Sequence, residues 1–168
     1  MQAEPWKGDL PDRLLAAIPA GVIACLTYLG QQFVEVRPDA VLGVLAFFRD
    51  AEQFDFLTDL TAVDRARDPE RFEIVYFLYS FAHNQRVRVK IRVSLDQEPA
   101  SITTLFPAAD WLEREVFDMF GIRFAGHPDL KRILLPEEWQ GFPLRKNTSI
   151  LAMDQDWVRE NLHIESGQ

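Results

Sequence analysis

Glu113, Glu115 and Asp118 fall within six positions of one another, and His127, Asp129, Lys131 and Arg132 follow shortly after. Carboxylates beside an imidazole are the material of a divalent-metal site or of an acid–base pair. The spacing favours neither. His83, His127 and His163 are far apart, and no two stand at helical spacing. The single cysteine, Cys25, excludes an internal disulfide and any cysteine-cluster metal site within the chain, and it suits a reducing compartment. Gly121 and Gly126 have the glycine spacing of a phosphate loop, but His127-Pro128 stands where a Lys-Ser/Thr pair must be. No Gly-x-Gly-x-x-Gly occurs. A free-standing enzyme with its site around Asp118, His127 and Asp129 is the alternative of another class. Nearness in sequence supplies none of the mutual geometry such a site needs.

The elements that position these residues can be read around them. Asp110 to Phe120 has helical spacing, with Leu112, Val116, Met119 and Phe120 on one side and Arg114, Glu115 and Asp118 on the other. Asp110 is the expected N-cap, Glu113 its capping-box partner, and Gly121 the left-handed stop. Glu113 also falls between Phe117 and Phe120 on the apolar arc, where a carboxylate needs a partner. Arg114 and Asp118 are expected to pair as i,i+4 neighbours.

Upstream, Asp9 to Ile18 is a short predicted helix capped by Asp9. Val22 to Tyr28 and Gln32 to Val36 are predicted strands joined at Leu29-Gly30, and Asp39 to Arg49 is helical again. Phe54 to Asp64, Arg71 to Ser80 and Arg86 to Leu95 are predicted strands, the last two paired antiparallel. The order predicts an α+β fold: a mostly antiparallel sheet with helices packed on one face, followed by an extended C-terminal arm. Residues 1–121 form the core domain, ending in the helix that carries Glu113, Arg114 and Glu115. Residues 122–168 form an extended partner-binding arm, with Pro128, Pro136 and Pro143 in it and too little periodicity to fold by itself. Asp154 to Ile164 is a short amphipathic stretch, with Trp157, Val158 and Leu162.

A net charge of −8 over 168 residues argues against nucleic acid as the main ligand and against adsorption to anionic lipid. No apolar run is long enough to span a membrane, and Met1 to Gly8 lacks the features of a signal peptide. Arg86, Arg88, Lys90 and Arg92 give one strand a basic face. A solvated face with Glu73 as cross-strand partner is favoured over a protein-docking or regulatory role.

Three blocks carry a family resemblance. Glu113-Arg114-Glu115 and Asp118-Met119-Phe120-Gly121 lead into Gly126-His127-Pro128-Asp129-Leu130-Lys131-Arg132-Ile133-Leu134, with Pro143-Leu144-Arg145-Lys146 beyond and Leu57 to Asp64 before. Together they closely resemble the NuoC family, the C subunits of respiratory complex I, which is the proton-pumping NADH:quinone oxidoreductase. The resemblance implies a non-catalytic hydrophilic subunit of the peripheral arm. It implies docking chiefly on the D subunit near the quinone site, support of assembly, and a place on the cytoplasmic side of the bacterial inner membrane, with membrane contact only through the assembled complex. No cofactor is expected in this chain; FMN, iron–sulfur clusters, NADH and quinone belong to the parent complex. The partner-docking residues expected from the likeness are Glu113, Arg114, Glu115, Asp118, His127, Asp129, Lys131, Arg132, Arg145 and Lys146. Equivalent subunits of photosynthetic NDH, deazaflavin-linked dehydrogenases and energy-converting hydrogenases share the motif. The chain departs from the pattern at Phe142, where His or Trp is usual, and at Asn147-Thr148-Ser149, where Asp-Tyr-Pro is common.

Overall fold

A computed structural model of the chain describes residues 2–148 and 155–163. In chain order they form Glu4–Pro5 (β1), Asp9–Ala17 (α1), Val22–Tyr28 (β2), Gln31–Val36 (β3), a 3-10 turn at Pro38–Ala40, and Val41–Asp50 (α2). Phe56–Asp64 (β4), Phe72–Ser80 (β5), Gln85–Val93 (β6), Ala109–Phe120 (α3) and Gln155–Leu162 (α4) follow. The six strands make one sheet in the order β1-β2-β3-β6-β5-β4. Every neighbouring pair is antiparallel except β3 and β6, which run parallel with Phe33 opposite Arg88 and Val36 opposite Ile91.

Local chemistry accounts for the strands. Leu29 and Gly30 both have positive φ (50° and 74°), the two-residue turn whose twist matches the β2–β3 hairpin. Strict alternation in β6 sends Val87, Val89, Ile91 and Val93 into the core. In β4 the register shifts between Leu57 and Asp59, so that Leu57, Leu60, Ala62 and Asp64 all face inward.

Helices α1, α2 and α3 lie on one face of the sheet. Leu14 of α1, Val44, Leu45 and Phe48 of α2, and Val116 and Phe120 of α3 join the inward sheet residues in one core cluster. Phe33 and Val75 are just as buried, at 6% and 5% exposure, yet stand outside that cluster, because they belong to the other side of the sheet.

Two caps differ from the sequence expectation. Gly8 stands at the cap position of α1, and Asp9 is already helical. Ahead of α3, Ala108 is the cap residue and makes no side-chain bond. The N–H of Ala109 donates to the Phe106 carbonyl and that of Asp110 to the Pro107 carbonyl. The preceding turn thus satisfies donors that a side-chain cap would have served, so Asp110 has no capping role and no capping box with Glu113 forms. The expected stop does occur: Gly121 ends α3 at φ 73°.

After Gly121 the chain is irregular, but residues 122–148 are not independent of the core. Ile122 and Phe124 are 4% and 3% exposed within the core cluster. The Ser101 N–H donates to the Ala125 carbonyl and the Ala125 N–H to the Pro99 carbonyl, either side of a parallel bridge at Ala100 and Ala125. This stretch, which lacks local periodicity, is held by contacts distant in sequence. α4 falls inside the predicted amphipathic stretch, with Val158 3% exposed and the Trp157 ring edge-on to Trp139 at 6.0 Å. Asp154, Ile164, Ser149 and the side chain of Leu162 lie outside the described residues.

Candidate docking surface around α3

Asp118 is the centre of the arrangement. Its side chain is fully buried. One oxygen accepts from Arg132 Nη1 at 2.7 Å. The other accepts from the N–H groups of Ile133, Leu134 and Leu135 at 3.0, 2.8 and 2.9 Å. Three successive N–H groups turned to one point make a concave anion site, and this one is filled by the protein's own carboxylate. Burial raises the carboxyl pKa, but the three N–H groups and the Arg132 guanidinium outweigh it and hold Asp118 below its ordinary value. The expected Arg114–Asp118 pair is therefore absent. Arg114 instead donates to the carbonyls of Lys131 and Arg132 and lies over the Trp111 ring at 5.2 Å. Helical spacing made the pair plausible, but a buried carboxylate goes to whichever donors follow it into the core.

Glu113 is fully buried on the opposite side of α3. Its Oε1 accepts from the Ile102 N–H at 2.7 Å, while Oε2 has no hydrogen-bond partner. Burial pushes its pKa up, opposed by the Ile102 N–H, the Ser101 hydroxyl and His127. Burial and the nearby Glu113 likewise raise the pKa of Tyr76, whose hydroxyl is also without a partner.

The His127 side chain is enclosed. Its Nδ1 accepts from the Asp129 N–H at 3.1 Å, which leaves the proton on Nε2 in the neutral ring. That nitrogen points at the Asp110 carbonyl at 3.2 Å and is 3.9 Å from Glu113 Oε2.

A second knot pins the following segment. Asp64 accepts from Arg71 through both oxygens, from the Ala66 N–H, and from the Lys146 N–H at 2.8 Å. Arg71, against burial and helped by the Lys146 and Ala66 N–H groups, holds Asp64 well below the usual carboxylate range. Arg145 donates to the Phe120 carbonyl and stacks on Phe142 at 4.4 Å, and burial lowers its pKa. A Cβ added at Gly121 would lie 2.5 Å from both Arg145 and Phe142, so the glycine serves close approach as well as its positive φ. Sequence reasoning missed this knot. The available signal was Asp64 itself, a carboxylate in an inward position of β4.

The ten expected docking residues thus divide. Glu113, Asp118 and His127 are spent inside the fold, while Arg132 and Arg145 are half-buried and bonded internally. Arg114 is half-buried and bonded to the loop. Glu115, Asp129, Lys131 and Lys146 are exposed, with Lys131 and Asp129 paired at 2.7 Å. Trp111, Leu134 and Leu144, 61%, 60% and 53% exposed, were not singled out from sequence. Among the described residues, no group of three or more His, Cys, Asp or Glu side chains could hold a metal ion.

The motif residues that resembled a family are the ones that lock the loop and the Pro143–Lys146 run onto α3 and β4. A model of the respiratory-chain NADH dehydrogenase 30 kDa subunit matches residues 34–153. The chain belongs to that family. The C subunit of NADH-quinone oxidoreductase from Roseiflexus sp. (strain RS-1) is 43% identical over 145 residues, covering 84% of this chain and 83% of the relative. The C subunit from Rhodobacter capsulatus is 41% identical over 162 residues, covering 94% and 81%. Among solved structures, a trypsin-resistant fragment of Nqo5 aligns with a TM-score of 0.63 and 32% identity, over 72% of this chain and 98% of the fragment. A chain of the membrane-bound sulfane sulfur reductase, an archaeal respiratory membrane complex, shares the fold with a TM-score of 0.75 at 24% identity, over 92% and 90%. Within the 30 kDa family, the Asp118 and Asp64 knots are what give the shared motif its conformation in this chain.

Proposed function

We propose that this chain is the C subunit of an NADH:quinone oxidoreductase: a hydrophilic, non-catalytic member of the peripheral arm that docks chiefly on the D subunit near the quinone site and supports assembly. The observation that carries the non-catalytic part is the internal use of the would-be reactive groups. Asp118 is enclosed by four donors, the His127 ring is enclosed, and Asp129 pairs outward with Lys131. These three side chains turn to three different partners rather than to one reacting centre, which counts against an enzyme site around Asp118, His127 and Asp129.

Family membership and the C-subunit relatives support the parent complex. FMN, iron–sulfur clusters, NADH and quinone belong to other subunits in this reading, and the chain itself holds none of them. No helix among the described residues is long and apolar enough to cross a membrane, and the reading places the subunit on the cytoplasmic side of the bacterial inner membrane, reached only through the assembled complex. The docking surface is the outer side of α3 with the loop strapped to it, where Trp111, Leu134 and Leu144 are exposed beside Arg114, Lys131 and Lys146.

Deleting the gene and purifying the complex through an affinity tag on this chain tests the proposal. The expected result is loss of NADH:quinone oxidoreductase activity from membranes, and co-purification of the D subunit with the tagged chain. A tagged chain that purifies alone, with activity intact in the deletion strain, would overturn it.

A further inference from the structure

The basic face of β6 divides into two halves. Lys90 and Arg92 meet Glu73 on β5 at 3.3 and 3.8 Å, and Glu73 also takes Arg65 at 2.7 Å. Arg92 also pairs with Asp68 at 3.3 Å, so every cation of that half has a carboxylate partner within the chain. The Arg86 and Arg88 side chains make no ion pair or hydrogen bond to any described residue; each guanidinium lies over a ring, Arg86 on Tyr79 at 5.8 Å and Arg88 on Phe33 at 5.7 Å. By register the carboxylate of the same row is Asp59, on the far side of β5 from Arg88, and it accepts from the N–H of its neighbour Leu60. Stacking fixes a guanidinium plane while leaving its N–H edge available for bidentate bonding to a carboxylate.

Both arginines line an open groove of about 600 Å³ at the end of the sheet away from Asp64, with Gln31, Thr58, Phe77 and Tyr79. At its rim Phe81 and Phe56 are 68% and 47% exposed, and Phe81 packs on both Tyr79 at 4.8 Å and Phe56 at 5.6 Å. The groove therefore offers two unpaired cations two residues apart on one strand, roughly 7 Å along it, beside an aromatic ledge.

The geometry points to this groove as a second docking site, on the sheet face opposite α3, for an extended acidic segment of another subunit of the complex. Its chemistry is a pair of carboxylates at alternate positions with an apolar side chain toward Phe81. An extended chain places alternate side chains on one side with the same period as Arg86 and Arg88, so one such segment meets both guanidiniums. A flat anionic bilayer fits worse, because the surface is concave and the chain carries −8 overall. The same net charge repels a second copy of this chain. The inference rests on the subunit reading above.

The test uses the assembled complex, purified through a tag on a neighbouring subunit, with this chain carrying Phe81→p-benzoylphenylalanine. Irradiation followed by peptide mapping is expected to give one major cross-link, to a segment of another subunit with two carboxylates two residues apart. Adding Arg86→Glu and Arg88→Glu is expected to lower its yield about tenfold or more, since charge-assisted contacts become repulsive. Arg86→Lys with Arg88→Lys is expected to fall between. The melting point of each free variant monitors folding, and the cross-link map stands even if the double Glu variant melts early. Cross-linking to lipid, to a second copy, to a segment lacking acidic residues, or with undiminished yield in a folded double Glu variant overturns this inference alone. A purified complex that lacks this chain overturns the subunit reading and this inference with it.

Discussion

Arg132 reaches back fourteen residues to place its Nη1 2.7 Å from Asp118 Oδ1, and its Nη2 donates to the carbonyl of Gly141 at 3.2 Å. Its guanidinium also covers the Phe142 ring at 5.4 Å. One cation thus joins α3 to two separate parts of the irregular segment after it. Because Asp118 is fully buried, this is an interaction whose loss leaves an uncompensated group rather than a surface pair that water can replace.

Asp118→Asn tests that point most directly. The amide retains the shape but turns an N–H₂ group toward donors, and it loses the charge that Arg132 answers. Stability is expected to fall by about 3–5 kcal/mol, the cost of breaking a buried pair. Urea melts of the free variant measure it. A loss below about 1 kcal/mol would mean the pair behaves like a solvated one.

Hydrogen exchange tests how the loop is held. The amides of Ile133, Leu134, Leu135 and Lys146 end on carboxylates of Asp118 and Asp64 and are expected to be protected in the free subunit. Both carboxyls have pKa values depressed by folding, so their contribution is complete above the ordinary carboxylate pKa of about 4 and lost as pH falls through the folded values. Acidification from about pH 4 down through these depressed values should therefore release these amides before those of the inner strands. Simultaneous release of both sets would show that the loop is not a separately titrating unit.

Glu113 has the opposite sign. Burial raises its pKa, so the folded state holds its proton more tightly than the unfolded chain. Its contribution is favourable below the unfolded pKa and becomes a cost as pH rises through the folded one. Glu113→Gln keeps an acceptor for the Ile102 N–H and removes the titration. Relative to the parent, this variant is expected to gain stability with rising pH, by at most about 1.4 kcal/mol per unit. Parallel melting-curve series across the acid-to-neutral range read the difference, and a constant offset would refute it.

What the sequence reveals of this fold follows the range of the interactions involved. Alternation in β6 and the Leu29-Gly30 turn are local, and they are readable to within one or two residues. The family motif at Glu113 to Asp118 is equally visible, but its partners are not. Periodicity assigns Asp118 to a polar side of α3, because nothing in the helix indicates that Ile133 to Leu135 will fold over it. Asp110 illustrates the same limit: its type and position suit a cap, and the turn at Phe106 and Pro107 removes the need for one. The exposed Trp111, Leu134 and Leu144 became identifiable only once burial was known, since an apolar residue in a sequence does not declare which side of a surface it occupies.

Assembly is expected to depend on those exposed side chains. Trp111→Ser combined with Leu134→Ser removes apolar area that folding leaves in water, so the free chain should lose no more than about 0.5–1 kcal/mol. The yield of complex retaining this subunit should drop severalfold, as anchors at a docking surface carry a disproportionate share of binding. Unchanged yield in a normally folded variant would remove the α3 surface from the interface.

The single parallel joint in the sheet has a kinetic meaning. β2 with β3, and β4 through β6, are antiparallel ladders between strands consecutive in sequence, whereas β3 meets β6 only after α2, β4 and β5 have been made. Closing that joint costs the loop entropy of the whole intervening chain. Each ladder is therefore able to form on local contacts, and their fusion at Phe33 to Val36 against Arg88 to Ile91 is the joint that contact order expects to close last. A newly made chain must expose the unpaired edges of both ladders until that moment, and it is then that the protein is most open to mispairing.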